Sequence, residues 1–145
     1  MIDRFTKIAI SLLILLWIYT PGSKLADYQD FKHQLRLQHF SPALIAILQW
    51  AIPIVEIIAA VFLTFLRTRR IGLILSCILL FAFTAYVALI LSGYYIKTPC
   101  SCGGVLKFMG WRSHLAFNIF FLLLNILTIY FSTLKGRRSE KSNPL

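Results

Sequence analysis

Two cysteines one residue apart, Cys100-Ser101-Cys102, lie in a Pro-Cys-Ser-Cys-Gly-Gly segment between two long hydrophobic runs. The chain holds only three cysteines, three histidines and five acidic residues, so sulfur is its best-equipped chemical group. The Cα atoms of residues i and i+2 are near the upper separation for a disulfide unless the chain turns sharply. A bond between them is expected to be strained, and strained exposed disulfides are the exchangeable kind. Thr98, ahead of Pro99, is biased to an extended conformation. Gly103-Gly104 can supply the turn and lets a partner's backbone approach. Lys97 and Lys107 are cations that could lower a thiol pKa, and His114 is a candidate proton acceptor. The catalytic candidates are therefore Cys100, Cys102 and His114. Two other readings of the same residues stay open. A static clip over so short a loop would restrain little chain entropy. Cys100, Cys102, Met109 and His114 together would suit Cu(I). The remaining cysteine, Cys77, lies inside a hydrophobic run, where a lone cysteine is usually a small packing residue.

A second constellation is buried in the apolar runs. Glu56 is the one acid well inside such a run, and an intramembrane carboxylate is a functional hypothesis by default. It shares a helix face with Gln49, Pro53 and Ala60, which should point inward. His114, Asn118, Asn125 and Ser132 fall within about 40° of one another on a helical wheel, with Thr128 close by. Such residues avoid lipid. Glu56 lies about 21 Å along its helix from Pro42, and Asn125 about 18 Å from Ser113, so the two are expected to meet. They are the candidate cofactor-binding pair, with a quinone as the possible cofactor and structural glue as the alternative. Gly72-x-x-x-Ser76 is a small-residue pair suited to close helix approach.

These residues need a scaffold that crosses a membrane. The 145 residues are 59% hydrophobic, more than a soluble domain of this size can bury, and the apolar residues come in runs of spanning length. Four spans are expected, at about 5–20, 42–66, 71–96 and 113–134, in one domain of residues 1–145. Pro21-Gly22 should end the first. Ser41-Pro42 reads as an N-cap followed by proline at the first helical position of the second. Arg67 to Arg70 is a tight link. Between the first two spans, Leu25, Tyr28, Phe31 and Leu35 recur at helical spacing, the pattern of a short amphipathic helix on the outer face. The N-terminal run lacks a small-x-small cleavage site and reads as a retained span.

The net charge of +10 sits at the ends of the runs, a topology signal for a lipid membrane and not a nucleic-acid surface. Nine of the fifteen Lys and Arg residues lie beside the termini and the 67–70 link (Arg4, Lys7, Arg67, Arg69, Arg70, Lys135, Arg137, Arg138, Lys141). That excess puts both termini in the cytoplasm. The cysteine loop then faces outward, into a disulfide-permissive compartment if the source is a bacterium.

Gly22-Ser23-Lys24-Leu25 with Asp27 and Phe31, Glu56, the Cys100-Ser101-Cys102-Gly103-Gly104 loop, and Trp111, His114, Phe117 and Asn118 together resemble the MauE branch of the DoxX-like four-helix membrane proteins. The Cys-x-Cys-Gly-Gly loop is similar to that of Bacteroidetes-type members. The resemblance covers nearly the whole chain. It implies a bacterial inner-membrane protein linked to thiol–disulfide chemistry of exported proteins, and the tie of other DoxX-like proteins to quinone or sulfur oxidation implies a possible quinone. The expected fold is an all-α polytopic membrane four-helix bundle with a short amphipathic helix on the outer face. The expected function is thiol–disulfide exchange with a thioredoxin-like or exported thiol protein, with a membrane scaffold or copper handling as alternatives. No second dithiol lies at the cytoplasmic side, so electron transfer across the membrane would need a quinone or a partner.

Overall fold

The computed structural model describes residues 2–38, 40–93 and 110–141. All regular structure among them is helical: α1 (Ile2–Ala26), α2 (Tyr28–Arg36), α3 (Pro42–Thr64), α4 (Arg69–Leu91) and α5 (Trp111–Lys141). Four of these, α1, α3, α4 and α5, are long and apolar enough to cross a membrane. They form the all-α bundle that the hydrophobic runs predict. Helix α1 packs against α3 and α5, and α4 against the same two, while the short α2 lies over α3 and the end of α1.

The helix starts and stops follow local chemistry. The Ser41 hydroxyl accepts from the Leu44 amide at 3.3 Å, with Pro42 beginning α3, the N-cap arrangement that satisfies otherwise orphaned donors. In the link between α3 and α4 the Thr68 hydroxyl donates to the Phe62 carbonyl at 3.0 Å, and Arg69 Nε donates to the Leu63 carbonyl at 3.3 Å. Freed carbonyls at the end of α3 are thereby satisfied by side chains.

The first helix differs from expectation. It does not end at Pro21-Gly22 but continues through them to Ala26. Proline in a helix removes one hydrogen bond and crowds the preceding turn. Here the helical register is kept by a buried stripe that crosses the proline: Leu13, Leu16, Trp17, Thr20, Pro21 and Lys24 all face inward. The extension takes Leu25 out of the outer amphipathic helix, and Leu25 is exposed. Phe31 and Leu35 are that helix's buried face, as expected.

The core is a column of Leu13, Leu16, Trp17, Ala59, Ala60, Leu63, Leu73 and Leu80. Within it Trp17 Nε1 donates to Ser76 Oγ at 2.7 Å, and the Asn125 amide meets the same hydroxyl at 2.7 Å. With its oxygen turned to accept from Ser76, the Asn125 amide nitrogen reaches the Leu73 carbonyl at 3.2 Å. Three helices are tied by one serine, as polar side chains tie helices in lipid. The outward faces carry Ile8, Leu15, Ile47, Phe81 and Leu123, more than half exposed, which is the surface a bilayer requires.

Gly72 lets α4 approach the end of α3. A Cβ there would stand 2.7 Å from the Leu63 nitrogen and 2.8 Å from the Phe62 carbonyl carbon, both backbone atoms that cannot swing aside. Gly72→Ala should gain about 1 kcal/mol of helix propensity and lose about 1–3 kcal/mol to overpacking. The expected net result is a lower unfolding midpoint in detergent. An unchanged or raised midpoint would show that the α3–α4 contact relaxes freely.

Candidate functional site

The site grows from the continuation of α1. Side chains on a helix tilt toward its N-terminus. Helices α1 and α3 run antiparallel, so Lys24 near the end of α1 reaches back into the bundle while Glu56 of α3 reaches up to meet it. Lys24 Nζ lies 2.5 Å from Glu56 Oε1, and both side chains are buried, at 7% and 1% exposure. The ammonium also sits 5.9 Å from the centre of the Phe31 ring and 5.6 Å from that of Phe83, distances at which a cation is attracted to an aromatic face. A charge this deep in an apolar bundle is tolerated only when paired in this way.

The pair borders a half-open cavity of about 420 Å³ lined by residues of all five helices. Its walls include Trp17, Phe31, Phe83, Tyr86, Trp111 and Phe117, and its polar members are Thr20, Lys24, Gln38, Glu56, His114 and Asn118. Helix α2 and the residues that follow it are fastened over the cavity at two places. Tyr28 donates to Gln49 at 3.2 Å and stacks near Trp50, while the Tyr86 hydroxyl donates to Gln38 and its ring stacks on Phe40. On the wall, Asn118 Nδ2 is buried with no hydrogen-bond partner among the described residues, and the Thr20 hydroxyl faces the Glu56 carboxylate.

The sequence-derived candidates fall in three places. Glu56 and His114 line the same cavity. Asn125 does not join them. It sits with Ser76 and Trp17, and the expected Glu56–Asn125 pair is replaced by Glu56–Lys24. The reason is the misplaced helix end: with α1 stopped at Pro21, Lys24 falls in an outer loop, and the helical α1 instead delivers it to the carboxylate first. Cys100 and Cys102, with Met109, lie outside the described residues. Cys77 is partly buried in α4, with its backbone amide in the turn that Asn125 faces. Sequence reasoning missed Lys24 and Thr20. The signal was available, because Leu13, Trp17, Thr20 and Lys24 keep helical spacing straight through the proline.

A bundle of four apolar helices with a buried ion pair and a largely apolar chamber defines a multi-pass membrane protein. Residues 2–131 match the family described as methylamine utilisation protein MauE, and the chain belongs to that family. The match takes in the bundle and the cavity and stops before the basic end of α5. No curated protein and no solved structure matches the chain.

Removing one member of the buried pair leaves the other charge uncompensated. Lys24→Met alone and Glu56→Leu alone should each lower stability in detergent by about 3 kcal/mol, whereas the double variant Lys24→Met/Glu56→Leu should recover most of the loss. Additive losses in the double variant, measured by the unfolding midpoint, would show that the two side chains are not coupled.

Proposed function

We propose that this MauE-family protein is a thiol–disulfide exchange component of the bacterial cell membrane, with both termini in the cytoplasm. Cys100 and Cys102 act on an exported protein or a thioredoxin-like partner. The observation that carries this reading is the Cys100-Ser101-Cys102-Gly103-Gly104 sequence, the chain's one closely spaced pair of thiols. A partner thiolate attacks one sulfur of the Cys100–Cys102 disulfide, forming a mixed disulfide and releasing the other sulfur as thiolate. The partner's second thiol then displaces the protein's cysteine. The protein leaves as a dithiol and the partner as a disulfide, with two electrons moved and no other oxidant needed. The reverse direction uses the same steps.

The described residues on either side of the cysteine segment in the sequence reach the cavity. Helix α4 closes at Gly93, whose φ of 79° is a turn that glycine makes without strain. Helix α5 opens at Trp111, and Trp111 and His114 from its first turn line the cavity with Tyr86 and Val87 from the end of α4. His114 in that place is the group proposed to exchange a proton with the thiol pair.

Serine at either Cys100 or Cys102 should abolish exchange and leave the surviving cysteine trapped in a mixed disulfide, while the unfolding midpoint of the bundle stays close to wild type, because so small a loop restrains little entropy. Cys77→Ala should do neither. Full activity in the double serine variant would replace exchange with a scaffold role, and protection of the thiols from alkylation by Cu(I) would point to metal handling.

The orientation has its own check. A reporter active only in the cytoplasm should be on when fused after Leu145 and off when inserted near Gly104, following the excess of basic residues beside the termini. The opposite pattern would place the cysteines in a reducing compartment and remove the basis for exchange.

A further inference from the structure

From the basic pocket at the end of the bundle that carries the termini, we infer a binding site for the phosphate group of one anionic phospholipid, held between Lys7 of α1 and Arg69 and Arg70 of α4. The inference rests on this pocket alone and involves neither the dithiol nor the five-helix cavity.

Placement comes first. A half-open space of about 250 Å³ lies where α1, α4 and α5 meet. Arg69 and Arg70 open the spanning stretch of α4, and Lys7 lies in the first turn of that of α1, which begins at Arg4. That is the level of lipid headgroups, where long basic side chains place their charge. The pocket floor is apolar and closely packed, with Ile10 4% and Leu73 2% exposed. Leu66, 78% exposed, lines the same space, so the pocket opens beside surface that lipid tails can cover. Small-molecule sites span about 300–1,000 Å³. This smaller space takes a headgroup phosphate, with the rest of the lipid outside it.

Charge comes second. Three cations line the pocket, and no Asp or Glu does so among the described residues. Like charges gathered around one space repel, and an anion between them replaces that repulsion with attraction. Helix α4 begins at Arg69, so the positive end of its dipole lies at the same place. Arg4, and Arg67 in the α3–α4 link, are exposed and do not line the pocket, which sets the site apart from the basic rim around it.

The donors suit phosphate. Arg69 Nε donates to the Leu63 carbonyl at 3.3 Å, which holds the guanidinium in place and leaves its terminal nitrogens for a ligand. A planar guanidinium meets two phosphate oxygens at once. Thr6 and Ser132 line the same space with hydroxyls. A free phosphate would use these donors but gain nothing from the apolar surface beside them, whereas a phospholipid uses both.

The test compares two lipids with the same acyl chains, dioleoyl phosphatidylglycerol and the zwitterionic dioleoyl phosphatidylcholine. The full chain is titrated with each in detergent, and bound lipid is counted by native mass spectrometry. One phosphatidylglycerol should be held at least about tenfold more tightly than phosphatidylcholine. Lys7→Gln/Arg70→Gln should remove that preference and keep the lipid-free unfolding midpoint, because both side chains are exposed. Arg70→Gln alone should narrow the preference about fivefold. Arg4→Gln/Arg67→Gln removes the same amount of charge outside the pocket and should leave the preference intact. sn-Glycerol 3-phosphate, added at the lipid's concentration, should not displace the lipid. Equal retention of the two lipids would overturn the proposal, as would an equal loss of preference in the two double variants. Displacement by glycerol phosphate at equal concentration would assign the pocket to a free phosphate and overturn the lipid assignment.

Discussion

The contact between Lys24 and Glu56 organises the loop end of this protein. It fixes the last turns of α1 against the middle of α3, and it draws the Phe31 face of α2 and the Phe83 face of α4 toward the ammonium. An isolated charge in the bundle would cost several kcal/mol, so the two helices are bound to one register. The cavity is a consequence of that register. With α1 continued to Ala26, its end stands beside α2, and the space lined by the five helices keeps a polar wall in an apolar surround.

A second polar knot, Trp17–Ser76–Asn125, holds the bundle nearer the termini. The two knots share α1 and divide the work. Ser76 satisfies its neighbours fully and closes α1, α4 and α5 together, with Gly72 bringing α4 against the end of α3. Asn118 does not reach that state, since its Nδ2 has no partner among the described residues. The knot at Ser76 is satisfied within the bundle, whereas the cavity wall retains hydrogen-bonding capacity at Asn118.

Much of this was legible in the sequence. Runs of spanning length gave four helices, Ser41-Pro42 marked the start of α3, and the spacing of Phe31 and Leu35 marked the covering helix. The inward stripe of α5 was readable because His114, Asn118, Asn125 and Ser132, with Thr128 close by, recur at helical spacing; Ser132 is half-buried and the other four are buried. The partnership of Glu56 was not readable. Lys24 and Glu56 are 32 residues apart, and no local pattern states which of several polar residues at similar depth a carboxylate will meet. The depth estimate that paired Glu56 with Asn125 treated α3 and α5 in isolation. It omitted α1 because Pro21-Gly22 reads as a helix end, whereas burial of the stripe on either side of the proline outweighs one missing hydrogen bond.

The buried pair also sets an order of events during synthesis. A chain enters the membrane from its N-terminus, so α1 arrives carrying Lys24 before the carboxylate 32 residues later has been made. Until then the lysine's long stem can hold its charge at the headgroup level. Only when α3 delivers Glu56 can the end of α1 draw its charge into the interior. The final position of the end of α1 thus depends on a helix made two elements later, with α3 acting as its latch.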